Sequence, residues 1–79
     1  MEPEIVGKRV TKLMNENNIN KEELAIKLEL DLESLNSKLE GKEEFYLNEI
    51  IKLKNIFNLD VKECDEIFFQ ESDENSNIA

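Results

Sequence analysis

The side chains able to do chemistry are few, and their spacing favours binding over turnover. Across 79 residues there is no histidine and a single cysteine, Cys64. That excludes the usual zinc ligand sets and every histidine-based nucleophile or general base. Carboxylates are plentiful, and the adjacent pairs Glu22-Glu23 and Glu43-Glu44 raise the question of acid–base or metal chemistry. Neighbours on a helix point roughly 100° apart, so such pairs do not converge on one proton or one ion. They read as solvated faces. Cys64 precedes Asp65 and Glu66, whose charge disfavours a thiolate, so it reads as a small half-buried thiol. No enzymatic activity, metal or cofactor is expected.

The elements that must carry a binding surface follow from length, charge and periodicity. The chain is short for even one domain, against a usual span of roughly 100–200 residues. Its hydrophobic share of 39% feeds one small core. No apolar run approaches the ~18 residues of a membrane span, and residues 1–10 lack the apolar stretch of a signal peptide. With one cysteine and no internal disulfide, a reducing, cytoplasmic setting is expected. Two glycines and one proline argue against an all-β fold. The net charge of −9 is uneven: residues 20–45 hold eight acids and four lysines, and residues 63–79 hold six acids and no base. Residues 71–79 read as an acidic, flexible tail after a domain over 1–70.

Within 1–70 the apolar spacing is helical. Ile5, Val6, Val10, Leu13 and Met14 share a face and predict a helix over 4–17, with Pro3 suited to its first turn. Asn17, Asn18 and Ile19 break the pattern. Asn20 and Glu23 then form a capping box for a second helix over 21–28, with Leu24, Ala25 and Leu28 inward. After the link 29–31, Asp31 caps a third helix through 39 or 40, and Gly41 supplies the left-handed residue that ends it. Phe45 plugs the core from the following loop. A fourth helix covers 47–57, with Ile50, Ile51, Leu53, Lys54 and Phe57 along its inner side. Asp60 and Glu63 form another box, opening a fifth helix over 61–68. Phe57, Phe68 and Phe69 read mainly as core, with a dimer patch as a second use. The expected fold is all-α, a compact five-helix bundle in which the second and third helices have the spacing of a helix-turn-helix.

The stretches VGKRVTKLMNENNINKEELAIKLEL, DLESLNSKLEGKEEF and LNEIIKLKNIFNLDVKECDEIFF carry more than spacing. From Ile5 to Phe69 the chain resembles the lambda-repressor-like, Cro-type helix-turn-helix family. It is most similar to small phage and prophage transcriptional regulators, through Ser34, Leu35, Lys38, Leu39, Gly41 and Lys42. The resemblance implies a recognition helix over 32–40 lying in the major groove of double-stranded DNA, with the preceding helix across the backbone. It assigns base reading to Leu32, Glu33, Asn36 and Ser37, and phosphate contact to Lys21, Ser34, Lys38 and Lys42. It also implies a homodimer that occupies an operator and blocks polymerase.

The chain departs from the family at Glu29, where glycine is common, and at Asp31, where serine or threonine is common. Leu32 suits a thymine methyl, and Glu33 can accept from a cytosine amino group. A dimeric binder needs about 6–10 phosphate contacts. Lys8, Arg9 or Lys12 would have to supplement Lys21, Lys38 and Lys42. A second reading follows from Glu29, Asp31, Glu33, Glu40, Glu43 and Glu44. Such an acidic face imitates a phosphate backbone and would bind a basic protein partner, as in an antirepressor or DNA mimic.

Overall fold

In a computed structural model, residues 3–70 are described, and they form five helices and no strand. These are α1 (Pro3–Glu16), α2 (Lys21–Leu28), α3 (Leu32–Leu39), α4 (Leu47–Ile56) and α5 (Val61–Phe68). The reading of 71–79 as a tail lies outside the described residues.

A helix start leaves amides without partners, and side chains close the starts of α2, α3 and α5. Asn20 Oδ1 accepts the Glu23 N–H at 2.8 Å, and Glu23 Oε1 accepts the Asn20 N–H at 3.3 Å. Asp60 and Glu63 repeat this box at 2.8 and 3.1 Å. Asp31 Oδ1 accepts the Ser34 N–H at 2.8 Å. The ends of α1, α2, α3 and α4 are followed by left-handed residues: Asn18, Glu29, Gly41 and Asn58. After each, the chain turns back to an upstream carbonyl, as Leu30 N–H does to Ala25 O at 2.9 Å and Lys42 N–H to Ser37 O at 2.9 Å. That is the Schellman arrangement. It stops α1 and α4 one residue before their expected ends.

The inward stripes meet in one core. Val6, Val10 and Met14 of α1 face Leu24, Leu28, Leu35, Leu53 and Phe68, all buried. Each such side chain contributes about 1.5–3 kcal/mol by leaving water. Phe45 plugs the core as expected, with its ring edge-on to Phe68 at 6.4 Å between centroids. Two expectations are corrected. Ile51 is 52% exposed, because Ile50, Leu53 and Phe57 define a stripe that leaves position 51 on its outer side. Phe69 is also 52% exposed, while Phe57 and Phe68 are core.

α1 packs on α3 and α5, and α2 on α3 and α4. No described helix is long and apolar enough to cross a membrane.

Candidate nucleic-acid interface

The surface in question is built by α2, the link 29–31, α3 and the connector that follows. α3 is held from one side only. Leu35 is fully buried, Lys38 is buried and Leu39 packs against the core. Helical period then turns Glu33, Ser37 and Glu40 away from the core in one stripe, flanked by Ser34 and Asn36. Glu33 and Glu40 are exposed, and Ser34, Asn36 and Ser37 half-buried. Leu32, in the first turn, is 38% exposed. The side chains of Glu33 and Ser37 have no partner among the described residues. Lys21 stands exposed in the first turn of α2, likewise unpartnered.

The Gly41 turn brings the next residue back to this stripe. Lys42 N–H donates to Ser37 O at 2.9 Å, and the Lys42 ammonium pairs with Glu40 at 3.2 Å, both side chains well exposed. The expected phosphate contact at Lys42 therefore starts with a carboxylate beside it. Asp31 is held ionised at the start of α3. The Ser34 N–H, and then its side chain, bonds the carboxylate and lowers its pKa. Glu29 turns the other way, to Lys52 on α4 at 2.7 Å, and this hydrogen bond and charge lower its pKa too.

Lys38 is a correction. The expected phosphate ligand points inward, with its side chain 3% exposed against 5% for Glu49, and the two form an ion pair of 2.8 Å. Its Nζ also donates to Glu44 O at 3.2 Å and lies 3.9 Å from the Tyr46 ring centroid. The same Glu49 Oε1 accepts the Tyr46 N–H at 2.8 Å. An ammonium so placed cannot reach a phosphate. A signal existed in the sequence: Lys38 follows Leu35 by three residues, on the inward stripe, and Glu49 sits at the third position of a predicted helix.

Arg9 is a second correction among the cations. From α1 its Nη1 donates to Glu66 O at 2.7 Å, Ile67 O at 3.1 Å and Gln70 O at 3.0 Å. A guanidinium there completes the carbonyls at the end of α5 and opposes the negative end of its dipole. Asn36 is half-turned inward, and its Oδ1 is buried without a hydrogen-bond partner. Paired contact to an adenine needs both polar atoms of an asparagine presented, so this rotamer is not posed for it.

Among the described residues no group of three or more His, Cys, Asp or Glu could hold a metal ion. No protein-family model, curated protein or solved structure matches the chain.

Proposed function

We propose that this protein is a sequence-specific DNA-binding transcriptional regulator of the lambda-repressor-like, Cro type, with α2 and α3 as its helix-turn-helix. It acts as a homodimer that occupies an operator and excludes polymerase. The observation that carries the reading is the outward stripe of α3. It is fixed from behind by Leu35 and Lys38, and the side chains of Glu33 and Ser37 have no partner among the described residues. In this reading Leu32, Glu33 and Ser37 address base edges, and Lys21 and Lys42 grip phosphates on either side. Phe69 and Val61, both exposed on the α5 side, offer apolar surface to a second copy.

The electrostatics set the expected strength. With Lys38 and Arg9 occupied, Lys8, Lys12, Lys21 and Lys42 remain exposed. Two copies then offer about eight phosphate contacts, at the working range of a specific binder, and a salt slope no steeper than about −7. Exposed Asp31, Glu33 and Glu40 oppose them. Binding is therefore weak per copy and steeply salt-dependent.

Fluorescence anisotropy with the DNA upstream of its own gene and a scrambled duplex, over a salt series, tests this. Tight binding to the first alone supports the regulator. Glu33→Gln then shifts sequence preference, and Lys21→Glu weakens both duplexes alike. A second reading is favoured by one finding, the ion pair that Glu40 makes with Lys42 on this face. There, the acidic stripe engages a basic protein. No binding to either duplex at low salt would select it, and Asp31→Asn with Glu33→Gln would then abolish capture of that partner.

A further inference from the structure

The buried pair lies behind the outward stripe of α3, yet it ties α3 to the connector that follows it and to the first turn of α4. Lys38 lies in the last turn of α3 and Glu49 in the first turn of α4, and residues 40–46 connect them. Inside that closed loop, the Lys38 ammonium holds the Glu49 carboxylate, the Glu44 carbonyl and the face of the Tyr46 ring. Glu49 in turn holds the Tyr46 N–H. The exposed residues 42–44 thus hang between a Schellman turn at one end and a buried charge pair at the other.

The geometry points to Lys38 and Glu49 as positioning residues that set the orientation of α3 and the 40–46 connector for DNA. This rests on the regulator reading for its consequence, and on the network alone for its mechanism. Buried ion pairs are poor stabilisers, because desolvation offsets the attraction. An apolar pair of similar volume keeps stability but imposes no direction, whereas a bonded ammonium fixes one. The role of the pair is therefore specificity of geometry. Loss of one partner alone strands a buried charge and endangers the fold. The informative variant is the double replacement, Lys38→Met with Glu49→Leu.

The experiment compares this variant with the natural chain by melting, by amide hydrogen exchange, and by duplex titration over a salt series. The expected melting temperature is unchanged. Exchange at the Lys42 N–H accelerates about tenfold or more while α1 stays protected. The acceptor of that amide, Ser37 O, is touched by neither substitution. Preference for the operator over the scrambled duplex falls about tenfold, the worth of one well-placed base contact, with the salt slope unchanged. A slope shallower by about one phosphate contact would mean that Lys38 reaches DNA, and would overturn the proposal. So would natural protection at Lys42, or a lower melting temperature with the preference intact, which marks a purely stabilising pair. If that variant does not fold, Lys38→Met with Glu49→Gln removes the ammonium and its contacts, strands no charge, leaves an amide oxygen for the Tyr46 N–H, and is read by the same criteria. If the natural chain binds neither duplex, the regulator reading fails, and exchange at Lys42 alone decides the positioning role.

Discussion

Cys64 shows how a side chain's chemistry depends on neighbours far along the chain. It is buried at the base of a shallow apolar hollow lined by Lys54, Val61, Asp65 and Phe69. Burial raises the thiol above its ordinary 9.0, Asp65 raises it further, and Lys54 pulls it back. Half-burial of the thiol and the Asp65 effect were both legible in the sequence, but not that burial outweighs the neighbouring charges, since its extent depends on the packing of α5. We expect labelling by iodoacetamide to be slow at pH 7 and to climb only above pH 9. Labelling at neutral pH as fast as that of the denatured chain would contradict this. The linked stability has a definite sign. A raised folded pKa gives stability that is full below the unfolded value of 9.0 and is lost as pH rises through the folded one. At this scale Lys38 is the costliest misreading, because surface residue and buried ligand are the same letter.

Elements were the most legible level. The boxes Asn20/Glu23 and Asp60/Glu63 are local chemistry within four residues, so the starts of α2 and α5 could be read directly. Helix ends are also local, but three of the four left-handed exits use Asn or Glu in place of glycine. Glu29 is the most strained of these, a long side chain at φ 59°. Its exposed pair with Lys52 is worth little in water, so the backbone term should win. Glu29→Gly is expected to raise the melting temperature by a few degrees, and Glu29→Gln, which breaks only the pair, to leave it nearly unchanged. A drop in the glycine variant as large as that in the glutamine variant would show that the ion pair dominates. Periodicity misjudged Ile51 because an apolar residue at the edge of a stripe looks the same as one inside it.

At the scale of the whole molecule, four ties hold the helices in place, and none is local. Gly7 lets α1 approach α3 so closely that a Cβ there would lie 2.0 Å from the Leu39 carbonyl oxygen. Gly7→Ala must push α1 off α3, and should cost about 2–3 kcal/mol, read as a lowered urea midpoint with unchanged slope. A midpoint within error of the natural chain would refute that close approach. Arg9 ties α1 to the end of α5, Lys38 ties α3 to Glu49 of α4, and Lys52 ties α4 to the turn after α2. By itself the sequence determined the helical class, the starts and stops of the elements, the inward apolar stripes and the acid-rich face. Those depend on side chains within a turn or two of one another. Only the tertiary structure decided which lysine stays in water, which arginine closes a helix and which glycine permits a crossing. Each of those outcomes is set by contacts between different segments, from 11 positions apart for Lys38 and Glu49 to 61 for Arg9 and Gln70, beyond the reach of a cap or a helical turn.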